Sequence, residues 1–402
     1  MNINRSLLVA ALYLLVLVLL PFSRLAELPM LLLAGTGAYG LIKHWHTLKQ
    51  QPRFRILSVL FVSYFLLMAF SATDSYWQDK TIKVAIASFR FYFAGIALLL
   101  HVKAKHFPLL VKAIAVVALF WTLDAMIQYF VGVDLIGRSS YVDRLNGIFG
   151  QYHAKLGPVL ALLLPVVMVA LSRHNQIIRW LSTLLMIIVI ILSGTRSAWI
   201  MMAFILLAYW FHHVKQRRLF LMLKAMFVAT VMVSALWFIS PEFQKRIERS
   251  MFVFQGSESA IDYALANRLP IWKTSLKMIA EHPINGVGAH AFRKAYPHYA
   301  ENDDVWQKQG GVGMHAHHWI LEILAETGII GLLIMAYAIF KLLLFVRTNY
   351  QASSWAFLVA IVAAFLPLTS TYSLFASFWS LCLWFCGAGF ILLSTNRTDA
   401  HD

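Results

Sequence analysis

Charged residues are scarce in this sequence of 402 residues, since Asp, Glu, Lys and Arg together make up 13% of it. Soluble domains contain about 25% of these residues. There are two cysteines, Cys382 and Cys386, inside one apolar run, and we interpret them as small buried hydrophobic residues rather than a disulfide or a metal site. Hydrophobic residues reach 60%. This composition excludes a disordered chain, a disulfide scaffold and an ordinary cytosolic enzyme, and it predicts an all-α polytopic membrane protein.

Long apolar runs predict about twelve transmembrane helices, because one span needs roughly 17–25 mostly apolar residues. The first run follows Arg5 without a small-residue cleavage pattern, so we interpret it as a retained span rather than a signal peptide. The predicted spans are 7–22, 26–42, 56–73, 84–100, 107–131, 156–172, 176–193, 197–213, 220–240, 318–346, 354–371 and 375–393.

The distribution of basic residues predicts the orientation of these spans. The chain has 34 basic and 18 acidic residues, a formal net charge of +16. Alternate loops, starting from the N-terminus, are rich in Lys and Arg and nearly free of acidic residues, so these loops and both termini are expected to face the cytoplasm. The positive charge therefore does not indicate binding to nucleic acid.

One long polar segment, residues 241–317, is predicted to lie on the outer side of the membrane. It divides the chain into spans one to nine at 1–240, the loop itself, and spans ten to twelve at 318–402. Pro270 is a favourable first helical residue, and a helix is predicted from there to Pro283, with a second from His290 to Tyr296. We expect a helical lid or partner-binding element that lies on the membrane.

The sequence SGTRS at 193–197 separates two predicted spans and places Arg196 at the start of a helix. Free backbone N–H groups, the positive end of the helix dipole and a guanidinium together favour an anion. Ser193 and Thr195 add hydroxyl donors. The alternative is a basic side chain that extends from a short loop to the membrane surface.

Arg268 precedes the predicted helix start at Pro270. Its side chain can bind an anion as a second arginine, or it can be a surface arginine that caps the helix or stacks on Trp272. Further basic residues in outer loops could add anion contacts; they are Lys80, Arg138, Arg144 and Lys155.

A third polar cluster runs from His315 to Glu326 at the outer end of the tenth span and includes His317 and His318. A histidine at a helix N-terminus tends to stay neutral, and a neutral ring can accept a proton. Glu322 and Glu326 are four residues apart on one helical face, so they are expected to line a cavity or pair with the arginines. Two other interpretations of this cluster remain. The histidines and glutamates can form a metal site, although their spacing is poor for one, or they can anchor the helix at the membrane interface.

The predicted topology brings Arg196, Arg268 and His317 to the same outer face. Two arginines and a histidine suit the binding of a diphosphate and the deprotonation of a hydroxyl. A lipid-linked donor therefore fits better than a cytoplasmic nucleotide sugar.

At these residues the sequence resembles the bacterial O-antigen ligase family, within a larger ligase and polymerase superfamily. Three motifs carry the resemblance, namely SGTRS at 193–197, Arg268 before Trp272, and His317 followed at fixed spacing by Gly328 and Gly331. The sequence departs from the family in having His318 where Asn, Ser or Gln usually follows the histidine.

The resemblance implies a metal-independent, inverting glycosyltransferase with the membrane fold of enzymes that use lipid-linked donors, and no cofactor. It would move O-antigen polysaccharide from undecaprenyl diphosphate to a sugar of the lipid A-core, on the periplasmic face of the bacterial inner membrane. Arg196 and Arg268 would hold the diphosphate, and His317 would act as general base or position the acceptor, a role that His318 could share. Alternatives are an O-antigen polymerase, a protein O-oligosaccharyltransferase and, outside enzymes, a transporter of polyprenyl-diphosphate glycans.

Overall fold

The computed structural model describes residues 5–140, 144–150, 154–213, 230–231, 233–308, 314–367 and 372–394. Helices dominate, and no β-strand occurs in these ranges. The helices are α1 (Arg5–Val18), α2 (Glu27–Leu48), α3 (Pro52–Ser71), α4 (Gln78–Ala87), α5 (Phe89–His101), α6 (Phe107–Val131), α7 (Leu156–Ala170), α8 (Gln176–Leu192), α9 (Arg196–His213), α10 (Pro241–Met251), α11 (Glu258–Ala264), α12 (Leu269–Glu281), α13 (Phe292–Tyr299), α14 (Val305–Lys308), α15 (Trp319–Asn349), α16 (Trp355–Ala364) and α17 (Ser377–Leu393).

Many of these helices are apolar enough for a membrane. Five stretches of the described chain have the length and composition of a membrane span: Arg24–Leu48, Pro52–Ser71, Gln78–His101, Ala104–Val131 and Trp319–Asn349. Shorter apolar helices are α1, α7, α8, Ala352–Ala364 and α17. An all-α membrane protein is thus confirmed. The number of twelve spans and their orientation stay predictions, and the predicted span 220–240 falls largely outside the described residues.

Two predicted spans differ in detail from the helices. The span at 84–100 is part of a longer helical stretch that divides into α4 and α5 at Ser88. The span predicted at 354–371 corresponds to α16, which ends at Ala364, three residues before Pro367. Proline disfavours helical backbone at the residue before it and donates no hydrogen bond, which explains the early end.

The chain divides into two compact units. The first contains residues 1–114 and 270–402, and the second contains 115–269. In the first unit α2 packs along α5, and α3 packs along α15. In the second unit α7 contacts both α8 and α9.

Helices α12 and α13 of the predicted outer segment form a small apolar core of their own in the first unit. Ile271 and Met278 of α12 pack with Phe292 and Tyr296 of α13, and Ala325 of α15 completes this core. These side chains are almost completely buried. The core therefore fixes the segment after α12 against the start of α15.

Helix α15 bends at Gly328, where φ is +62° and the backbone is not helical. The segment before α13 lies against this bend, because the N–H of Val287 donates to the carbonyl of Ala325 at 2.8 Å and the N–H of Ile329 donates to that of Pro283 at 2.8 Å. A Cβ at position 328 would lie 2.2 Å from the carbonyl oxygen of Ile284. Only glycine fits both the positive φ and this close approach.

In the second unit, serine caps begin the two helices that follow the predicted ninth span. The hydroxyl of Ser240 accepts from the N–H of Phe243 before α10, and Ser257 accepts from Ala260 before α11. Pro241 occupies the first turn of α10, where its missing N–H is not needed. The Ser240 cap and Pro241 fix the residue at which α10 begins. This helix carries Arg246, Arg249 and Ser250, which lie near Arg196.

Candidate functional site

The SGTRS sequence forms the predicted break between α8 and α9 in the second unit. Gly194 has φ of +64°, and Arg196 is the first residue of α9. The Ser193 hydroxyl donates to the carbonyl of Ile190 at 2.7 Å, and the Thr195 hydroxyl donates to that of Ser193 at 3.4 Å. Both hydroxyl protons thus serve the turn itself, so these residues shape the backbone that presents Arg196.

Helix α10 holds this turn through Arg246. Its Nη1 donates to the Gly194 carbonyl at 3.1 Å. Four residues later, the Ser250 hydroxyl donates to the carbonyl of Arg246 at 2.8 Å and accepts from Nη1 of Arg196 at 3.4 Å. Residues four apart share one face of a helix. One face of α10 therefore contacts both the turn and the arginine that follows it.

Arg196 is half-buried and lies in a strongly positive environment. Its guanidinium donates to the carbonyl of Ala264 at the end of α11. The positive charges of Arg268, Arg249 and Arg144 act unfavourably on it, in that order. Within the described ranges it has no carboxylate partner. Arg196 is thus a cation that the described residues do not neutralise.

Arg268 lies on the short connection between α11 and α12. Ala266 and Asn267 have φ near +60°. Asp262 holds this turn with two hydrogen bonds of 2.9 Å. Its backbone carbonyl accepts from the N–H of Asn267, and its carboxylate accepts from the N–H of Leu269. Burial lowers the pKa of Arg268. Among the residues that the structure describes, its guanidinium has no hydrogen-bond or ion-pair partner. A half-buried cation of this kind favours an anion.

The other basic residues predicted from the second unit have different surroundings. Arg138 donates from Nη1 to the carbonyl of Ile148 at 3.0 Å, so part of its guanidinium holds a loop. Arg144 adds positive charge near Arg196. Lys155 precedes α7, and its backbone N–H donates to the Asn146 side chain at 3.0 Å.

The histidine cluster belongs to the first unit and surrounds the start of α15. His317 has φ of +53°, a conformation that is uncommon outside glycine, and its ring lies 3.9 Å from that of His315 between centroids. His318 is the N-cap, and its Nδ1 accepts from the N–H of Leu321 at 3.5 Å. Trp272 donates to the carbonyl of Ala316 at 3.0 Å and packs edge-on against the His318 ring.

The cap contact distinguishes the two adjacent histidines. Because the Nδ1 of His318 accepts the cap hydrogen bond from Leu321, a neutral His318 ring holds its single proton on Nε2. His318 then has no lone pair left for an acceptor hydroxyl. This favours His317 as the proton acceptor.

Glu322 and Glu326 are buried and bind backbone rather than the predicted arginines. Glu326 accepts from the N–H of His290 at 2.6 Å and from that of Phe292 at 3.2 Å. Glu322 accepts from the N–H of Leu374 at 3.4 Å. Neither has an ion-pair partner in the described part of the chain. Their observed contacts hold the loop before α13 and the chain before α17.

A comparison with known families agrees with these features. Residues 181–336 match the family model described as O-Antigen ligase. This match supports membership of the O-antigen ligase/polymerase superfamily. No curated protein matches it.

The region that matches the O-antigen ligase model includes the SGTRS turn, Arg268 and the histidine cluster. Of the predicted site residues in the second unit, the structure places Arg268 and Arg144 close enough to Arg196 for their charges to act on it. His317 lies in the first unit, and its approach to these arginines stays a prediction. Lys80, also in the first unit, lies 5.9 Å from the Trp77 ring centre and lowers the pKa of His290 through its charge.

Three residues with notable surroundings were not predicted from the sequence, namely Arg246, Arg249 and His290. Arg246 and Arg249 lie on one face of α10, which their spacing of three could have indicated. His290 has φ of +65°, and burial lowers its pKa to about 4, with Arg293 at 3.1 Å adding to the effect. The described residues contain no group of three or more His, Cys, Asp or Glu side chains that could hold a metal ion.

Proposed function

We propose that this protein is an O-antigen ligase. It moves O-antigen polysaccharide from undecaprenyl diphosphate to a sugar of the lipid A-core on the periplasmic face of the inner membrane. The superfamily match supports this class of reaction. The basic, acid-poor loops support an orientation with both termini in the cytoplasm and residues 241–317 in the periplasm.

One observation carries the proposal, namely the group of arginines around Arg196. Arg196 and Arg268 are close enough for their charges to interact, and among the described residues neither has a carboxylate partner. Like charges repel, so the arrangement costs energy unless an anion of high charge binds there. A diphosphate has this charge and accepts bidentate hydrogen bonds from guanidinium groups.

The same arginines would assist the reaction. The acceptor hydroxyl oxygen attacks the anomeric carbon of the donor sugar while the bond from that carbon to the diphosphate oxygen breaks, which inverts the configuration. The electron pair leaves with the diphosphate, and two guanidinium groups stabilise the added charge. His317 accepts the hydroxyl proton, since the capping contact of His318 occupies the corresponding lone pair. In this proposal no step requires a metal ion or cofactor.

Deletion of the gene tests the reaction in cells. A ligase deletion leaves polymerised, lipid-linked O-antigen and no O-antigen on lipopolysaccharide. If single repeats still appear on lipopolysaccharide, the protein is a polymerase, and if glycosylated periplasmic proteins disappear instead, it is a protein O-oligosaccharyltransferase. Either result overturns the proposal.

Reconstitution tests the chemistry directly. Proteoliposomes that contain the protein, purified lipid-linked glycan and lipid A-core should form the transferred product, also in the presence of a chelator. The variants Arg196→Gln and Arg268→Gln should reduce transfer by roughly a hundredfold or more, because each removes a charged contact to the leaving group. Movement of the donor across the bilayer without transfer would identify a transporter.

A further inference from the structure

The last turn of α11 gathers two arginines at neighbouring carbonyl groups. Nε of Arg249 donates to the carbonyl of Tyr263 at 2.6 Å, and the guanidinium of Arg196 donates to the carbonyl of Ala264. The C-terminal carbonyls of a helix carry partial negative charge and attract cations. Two guanidinium groups from different helices are thereby held next to each other.

Arg249 is oriented so that one edge of its guanidinium is unused. Its Cζ lies 4.5 Å from the centre of the Tyr263 ring, so the ring covers one face of the group. Nε makes the bond to the Tyr263 carbonyl, while Nη1 and Nη2 have no hydrogen-bond partner within the described ranges. These two nitrogens form the edge with which arginine binds a phosphate in bidentate fashion.

The charge of Arg249 acts on Arg196 second only to that of Arg268. No carboxylate among the described residues pairs with Arg249. Arg246 on the same helix differs, because its Nη1 is bonded to the Gly194 carbonyl. Helix α10 thus has one arginine that holds the turn and one whose outer edge is available.

We propose that Arg249 is a third diphosphate-binding residue, which contacts the donor through Nη1 and Nη2 beside Arg196 and Arg268. This inference rests on the proposed function, since it assumes that the arginines bind a diphosphate. With three arginines, each of the two phosphates has a guanidinium partner and one arginine remains to bridge them. Tyr263 is a positioning residue that fixes the plane of the Arg249 guanidinium.

The test titrates geranyl diphosphate, a short polyprenyl diphosphate, into the purified full-length protein in detergent. Arg249→Gln should weaken binding roughly tenfold at low ionic strength, because it removes a charged hydrogen-bond donor. The difference should shrink as salt screens the charge. Arg249→Lys keeps the charge and should retain the salt dependence with a smaller loss. Lys245→Gln is the matched control, since Lys245 is an exposed cation of the same helix, and it should bind as the original protein does.

The outcomes separate this inference from the proposed function. If the unmodified protein does not bind geranyl diphosphate, the proposed function fails and the inference fails with it. If the protein binds, Arg196→Gln weakens binding and Arg249→Gln does not, the inference alone is overturned. A loss that is equal at all salt concentrations and is not relieved in Arg249→Lys would show that Arg249 only supports Tyr263, which also overturns the inference.

Discussion

Replacement of Gly194 by alanine should damage the protein in two ways that can be measured separately. A left-handed residue with a Cβ costs about 1–2 kcal/mol relative to glycine. In addition, the new Cβ would lie 2.5 Å from Cζ of Arg246, so this guanidinium must leave the Gly194 carbonyl. Loss of a hydrogen bond to a charged group costs about 1.5–3 kcal/mol. We expect a total destabilisation of about 3–4 kcal/mol, together with loss of transfer because Arg196 follows the turn.

Gly256→Ala supplies the matched control for this prediction. Gly256 also has positive φ, +74°, but a Cβ there meets no atom within 4 Å. Its replacement by alanine should destabilise the protein only by the cost of a left-handed backbone at a residue with a Cβ, about 1 kcal/mol, and should leave transfer unchanged. Apparent melting temperature in detergent and transfer in proteoliposomes are the two assays.

A double-mutant cycle isolates the clash. In the background of Arg246→Ala, Gly194→Ala should lower the melting temperature by about as much as Gly256→Ala, because the obstructing guanidinium is gone. Equal losses for Gly194→Ala with and without Arg246 would refute the reasoning. So would a Gly194→Ala protein that retains full transfer activity.

Three further predictions concern the first unit. His317→Asn should keep the fold, because asparagine tolerates the left-handed backbone, and should lower transfer at least about a hundredfold. His318→Asn should preserve both the helix cap and transfer. The reverse ranking of the two variants in the proteoliposome assay would make His318 the base. Glu326→Ala should destabilise the protein by about 2–4 kcal/mol, since it leaves the buried N–H of Phe292 and the partly buried N–H of His290 without their acceptor, and Glu326→Gln should destabilise it by less. Equal melting temperatures of both variants would contradict this. Burial lowers the pKa of His290 from 6.5 to about 4. The free energy of unfolding should therefore fall as the pH drops from about 6.5 towards 4 and level off below that. His290→Asn should remove this part of the pH dependence of the melting temperature.

Local signals in the sequence predicted much of the helical framework. Pro270 marked the start of α12, which runs from Leu269 to Glu281, and the SGTRS sequence marked the break between α8 and α9. Such signals act within a few residues, so a single sequence contains them. The apolar run at 318–346 likewise corresponds to α15.

The parts that could not be predicted depend on contacts between distant segments. Arg246 became significant because α10 packs against the turn at Gly194, which lies 52 residues earlier. Glu326 was expected to line a cavity or pair with arginines, but the loop at 288–292 folds back on α15 and supplies two N–H groups to its carboxylate. A pattern of residue types contains no information about such folding back.

The bend at Gly328 changes how α15 relates to the bilayer. As a straight helix its 31 residues would measure about 46 Å, well beyond a hydrocarbon core of about 30 Å. The portion after the bend, residues 329–349, measures about 31 Å and can cross alone. Glu322 and Glu326, which precede the bend, then lie outside the hydrocarbon core. The number of residues from His317 to Gly328 fixes the position of the histidine relative to the membrane-crossing part of the helix. One inserted residue there would rotate the histidine by about 100° around the helix axis.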